Sequence, residues 1–128
     1  METTEDRIAY ALGELAFDAY NRSTGGLTWD GKPVPTWAMI QLSKPGVCRA
    51  WACAALAMQE RIAAGETDLR VIGRAGFDAY NQSTGGLTHK GDPIPPWETI
   101  EVQTPHVTKA WTASAQALAE RPRTPSPA

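Results

Sequence analysis

A chain of 128 residues, 42% hydrophobic and 20% charged, is long enough for one domain, or for two very small ones sharing a core. Its net charge of −2 argues against a nucleic-acid polymer as the main partner, because such binders usually carry a basic face that displaces counterions from phosphates. A small anionic ligand stays open, since a local pocket needs only a few cations.

The N-terminal stretch "METTEDRIAYALGELAF" starts acidic and lacks both a basic leader and a long apolar run, so it reads as neither signal peptide nor membrane span. It predicts a helix from Thr4 to Asn21, with Thr3 or Thr4 as N-cap. Glu5 and Asp6 fall in the first turn, where the helix dipole favours acids, and Ile8, Leu12, Leu15 and Ala19 form the apolar stripe. A loop of some twenty residues, Arg22 to Leu42, follows; loops of that length carry function or structure of their own. Within it Thr24-Gly25-Gly26 reads as a helix stop and not a phosphate loop, which would lead into a helix N-terminus. Asp30-Gly31 is a turn signal for a tiny hairpin, and Pro33 to Ile40 predicts an extended stretch ending in one helical turn that seats Trp37 and Ile40. The next helix is expected to open with Ser43 as N-cap and Pro45 in its first turn, to bury Val47, Trp51, Ala55, Met58 and Ile62, and to stop at Gly65. Cys48 and Cys53 stand about 140° apart on that helix, which suits neither a disulfide nor a shared metal, so both read as small packing residues in a reducing compartment.

From Phe17 to Arg61 the chain aligns on Phe77 to Arg121 at a constant offset of 60 without a gap, with roughly 24 of 45 positions identical. The second unit repeats every device: a helix after Thr67-Asp68 with Leu69, Ile72, Ala75 and Ala79 on its stripe, a loop seating Trp97 and Ile100, and Thr104-Pro105 before a helix burying Val107, Trp111, Ala115 and Leu118. Two helices alone cannot enclose a core, whereas two copies about a pseudo-twofold axis can. The expected fold is therefore mainly α: two helix–long loop–helix repeats, 4–62 and 66–121, forming one four-helix domain over 1–121. The tail 122–128, with no apolar residue larger than Ala or Pro, reads as disordered. The Ala-rich second helices suit either dimerisation or close packing within one chain.

Candidate ligand-binding residues gather at the loops. Tyr20 and Tyr80 end the first helix of each unit, beside Asn21, Arg22 and Thr24 in one copy and Asn81 and Thr84 in the other. Trp37 and Trp97 sit at core-like spacing, so scaffold and ligand contact compete as readings for them. Trp29 and His89 precede the proposed turn, where an exposed ring is placed to stack on a flat ligand. Arg49 and Lys109 supply cations for anion contacts, and Asp18 and Asp78, near helix C-termini, call for compensation by loop N–H groups or an indole. There are only two His, His89 and His106, no Cys or acid cluster at metal-ligand spacing and no nucleophile elbow, which points to a non-enzymatic protein without cofactor or metal.

The order of a helix, Ala-x-x-Ala-Tyr-Asn, Gly-Gly, Pro-x-Trp-x-x-Ile and a helix with Ala-Trp resembles the ryanodine-receptor (RyR) type repeat, particularly the small RyR-like proteins of phages and prophages. Its carriers here are Ala16, Ala19, Tyr20, Asn21, Pro35, Trp37, Ile40, Ala50 and Trp51, and then Gly76, Ala79, Tyr80, Asn81, Pro95, Trp97, Ile100, Ala110 and Trp111. Gly76 departs from the Ala of the first copy, and Trp51 and Trp111 stand where larger relatives often carry charged residues. The resemblance implies a tandem binding module with a cleft near the pseudo-twofold axis. In a phage this would be an anti-defence sponge in the host cytoplasm, holding a nucleotide-derived signal. The alternative is a protein-interaction module, an inhibitor of a host complex or a virion accessory protein, with a homo-oligomer compatible with either.

Overall fold

The computed structural model describes residues 4–26, 32–86 and 92–120. They hold six helices: α1 (Thr4–Ser23), α2 (Trp37–Ser43), α3 (Pro45–Ala63), α4 (Leu69–Ser83), α5 (Trp97–Gln103) and α6 (Pro105–Glu120). The mainly-α architecture stands as expected, but the single turn foreseen at each Trp-x-x-Ile is a two-turn helix. In the first copy the hydroxyl of Thr36 caps it, accepting from the Met39 N–H at 3.3 Å. Ser43 is consequently not the N-cap of α3. It closes α2, its hydroxyl donating to the Met39 carbonyl at 2.9 Å, and the chain turns at Lys44 alone. Pro45 explains why: it disfavours helical backbone in the residue before it, so one helix must end there and the next begin.

The four long helices make the body. α1 packs on α3 and α4 on α6 within each repeat, while α1–α6 and α3–α4 join the repeats. The offset of 60 exchanges these pairs, which is the pseudo-twofold relation. The crossings within each repeat are tight because glycine stands at both. A Cβ on Gly13 would lie 2.9 Å from the Ala52 backbone nitrogen, and one on Gly73 3.1 Å from the Trp111 carbonyl carbon.

That crossing sets which face of α1 is buried. Ala9, Leu12, Ala16, Phe17 and Ala19 point inward, whereas Ile8, expected on the stripe, is 53% exposed. Leu15, Val47 and Ile62 are half-buried, as are Leu69, Ala75 and Ala79 on α4. The alanine faces are filled within the chain: Ala50, Ala54, Ala55, Ala110 and Ala115 are fully buried. They provide close helix packing and no surface for a second copy. Ser114, buried among them, donates to the Ala16 carbonyl at 2.7 Å and ties α6 to α1. Among the described residues no helix is long and apolar enough to cross a membrane.

On the axis Trp51 and Trp111 stack with ring centroids 4.9 Å apart and planes 25° from parallel. Tyr20 and Tyr80 each meet both indoles edge-on, with centroid distances from 5.3 to 5.8 Å. Burial pushes the Tyr20 phenol up to about 12, with the neighbouring Tyr80 adding to it; burial also raises Tyr80. The centre of the dimer-like fold is thus a four-ring aromatic plug.

Candidate functional site

Each loop leaves its helix by the same stop. The Gly26 N–H donates to the Asn21 carbonyl at 2.6 Å, and Gly25 and Gly26 adopt φ of 78° and 75°, a left-handed pair that side chains disfavour. The Thr24 hydroxyl donates to the carbonyls of Tyr20 and Asn21. Gly85, Gly86 and Thr84 reproduce this in the second copy. The glycine N–H groups are engaged with helix carbonyls, so this turn is no phosphate cradle. Further on, the Val34 N–H donates back to the Gly26 carbonyl at 3.0 Å, and Ile94 to Gly86 likewise, closing the base of each loop. The proposed hairpin tips, with Trp29 and His89, lie outside the described residues.

A cleft of about 870 Å³ opens between α1 and this loop base in the first repeat. One face of α1 supplies Glu14, Asp18, Asn21 and Arg22, at helical spacings of four, three and one. Opposite run Val34 to Ala38, with Phe17 and Trp37 as the apolar wall. Trp37 is 7% exposed and packs against Phe17 at 5.5 Å and Tyr10 at 6.5 Å, so most of its ring belongs to the core. The set combines two carboxylates, an amide and a guanidinium around an apolar wall, suited to a ring that donates hydrogen bonds and carries an anionic group. The second repeat has the equivalent cleft, about 550 Å³, lined by Asp78, Asn81, Gln82, Gly85 and Gly86.

A different groove of about 860 Å³ runs between α1 and α3, lined by Tyr10, Gln41, Cys48, Arg49, Cys53 and Leu56 among others. Cys53 is exposed on it, contrary to the expected packing role, while Cys48 is buried, its thiol pushed up by that burial and by Glu14. At the matching seam of repeat 2, Arg70 stands in place of Tyr10 and Glu101 in place of Gln41. Arg70 grips both carboxylate oxygens of Glu101, and Arg74 pairs with Glu98. The Arg70 hydrogen bond holds the Glu101 carboxyl below the usual carboxylate range. Asp78 lies 3.8 Å from Arg74, one turn earlier.

The anticipated residues therefore separate. Asn21, Arg22 and Trp37 share the first cleft, and Asn81 lines the second. Tyr20 and Tyr80 belong to the axial plug, Thr24 and Thr84 to the helix stops, and Trp97, 2% exposed, to the core against Phe77. Arg49 lines the other groove, and Lys109 is exposed on α6. Among the described residues the position expected for a shared cleft, on the pseudo-twofold axis, is filled by aromatic rings. Glu14 joins the cleft unanticipated; its spacing to Asp18, Asn21 and Arg22 was visible as one helical face. Compared with protein-family models, curated proteins and solved structures, the chain matches none.

Proposed function

We propose that this protein is a non-enzymatic binding module whose ligand is a small nucleotide, held in the cleft between α1 and the loop base. The supporting observation is the polar set on one face of α1. Asp18 and Glu14 accept from the amino or imino groups of a base, Asn21 adds an amide, and Arg22 faces the phosphate. The volume lies in the range of pockets for ligands of that size. The wider role, a phage sponge withholding a nucleotide-derived signal from a host defence effector, is our reading of the RyR-type resemblance and needs no turnover. The test is a thermal-shift screen against mono-, di- and cyclic nucleotides and ADP-ribose derivatives. Ligand at about a hundred times its Kd adds roughly 2.7 kcal/mol, several degrees for a domain this size. A shift that Arg22→Ala abolishes, with the nucleotide recovered intact, supports the proposal; a flat screen of the folded protein overturns it.

A second reading has its own observation. Leu42 and Val102, equivalent residues on α2 and α5, are 89% and 82% exposed. Apolar side chains that bare, repeated in both copies, suit contact with a host protein. Under that reading the screen is flat and Leu42→Glu abolishes stoichiometric capture of a partner.

A further inference from the structure

We infer that each chain carries two nucleotide clefts, one per repeat, and that residue 22 or 82 sets how strongly each holds the anionic end. The inference rests on the nucleotide reading above and extends it to stoichiometry and charge preference. Both clefts are built on the same frame: Asp18 and Asp78, Asn21 and Asn81, and two glycines at each helix stop with matching backbone angles. The two clefts share no lining residue, so each can be occupied by its own ligand. Their differences fall on charge. The first has Arg22 where the second has Gln82, which hydrogen-bonds but carries no charge. The first has Glu14 free to face the cleft, whereas its counterpart is Arg74, occupied with Glu98 and within 3.8 Å of Asp78. Repeat 2 thus lacks the second carboxylate, and the guanidinium beside its smaller cleft, Arg74, is already paired with Glu98 and Asp78. A nucleotide fills repeat 1 first, and a nucleoside, lacking the phosphate, discriminates less between the two.

The full-length chain reports on each cleft separately, because the amide signals of Gly25 and Gly26 and those of Gly85 and Gly86 sit at the respective helix stops. Titration with GMP and AMP, and with guanosine and adenosine, followed by these amide shifts, yields two midpoints. The expected result for a nucleotide is saturation of the Gly25–Gly26 set at about tenfold lower concentration than the Gly85–Gly86 set. Gln82→Arg, at an exposed position that leaves the core untouched, should bring the second midpoint down toward the first for nucleotides and leave it unmoved for nucleosides. Arg22→Gln should raise the first midpoint toward the second. Shifts confined to one glycine pair, or two midpoints insensitive to both substitutions, overturn the two-cleft inference while the nucleotide reading survives. Absence of shifts at both pairs with all four probes, in a chain whose spectrum shows it folded, overturns both.

Discussion

The two repeats agree inside and disagree outside. At the axis the partners are the same in both copies: tryptophan on tryptophan, each flanked by the same two tyrosines. At the outer seam repeat 1 sets Tyr10 edge-on to Trp37 beside an open groove, whereas repeat 2 carries the ion pairs Arg70–Glu101 and Arg74–Glu98 there. A duplicated unit that must pack against its own copy is constrained wherever the copies touch. Away from that contact each copy answers only to solvent and to what it binds. Divergence there falls on charge: the first cleft carries Glu14, Asp18 and Arg22, where the second repeat has Arg74, Asp78 and Gln82.

The largest expected effect tests the shared interior. Trp51→Ala and Trp111→Ala each remove a buried ring that contacts its equivalent and both tyrosines, and each should cost about 3–5 kcal/mol. The two costs should match, and the double variant should cost less than their sum, because the stacked partner is already lost. Urea unfolding of both singles and the double reads this. A tryptophan that tolerates truncation while its partner does not would show that the interior is less symmetric than the ring geometry.

The tyrosines give the next effect, and it depends on pH. Tyr20 titrates at about 12 in the folded chain against about 10 unfolded, so folding retains a proton that the unfolded chain releases first. Stability is therefore complete below about pH 10 and falls as pH rises toward 12, by on the order of 2–3 kcal/mol for this group. Tyr80 shifts in the same direction, chiefly through burial. Tyr20→Phe should move the alkaline unfolding midpoint upward, read by circular dichroism, with Tyr80→Phe acting in the same sense. An unmoved midpoint for both would mean that the phenols ionise freely in the folded state.

The sequence pattern made the helices and the duplication legible because identical residues recur at fixed spacing where the copies meet. Trp51, Met58, Ile72 and Leu118 were placed in the core by periodicity alone, and all four are buried. Ile8 departs for a geometric reason: helical spacing alone puts it in line with Leu12, Leu15 and Ala19, while the close crossing at Gly13 turns Ala9, Leu12, Ala16 and Phe17 inward. Ser43 misled because a hydroxyl two residues before a proline resembles a cap, and only the length of α2 shows it to be an end. In the candidate site, Asn21, Arg22 and Trp37 were legible as neighbours of one loop. The separation of the tyrosines from them was not, since it follows from the repeats rotating about a shared axis, which no single helix pattern encodes.

The smallest effect refines the comparison at the glycines. Gly13 and Gly73 stand 60 apart, just outside the span of dense identity, and both face backbone of the neighbouring helix. Backbone cannot step aside, so Gly13→Ala and Gly73→Ala should each cost about 1–3 kcal/mol by forcing the helices apart. Gly13, with its nearest atom at 2.9 Å, is the more costly of the two. Gly76 is different in kind. A Cβ there meets Met58 Sδ at 2.7 Å, the far part of a flexible side chain that has other rotamers. Its equivalent in repeat 1 is Ala16, and the residue equivalent to Met58 is Leu118, so the other half of the molecule already carries the larger residue with the shorter partner. Gly76→Ala alone should cost less than Gly13→Ala, and adding Met58→Leu should recover most of that loss by giving both halves the same pair. Thermal denaturation of the three variants decides it. If Met58→Leu deepens the loss, the two halves are packed on different plans at this contact, and Gly76 is a fixed feature of repeat 2 and not a tolerated change.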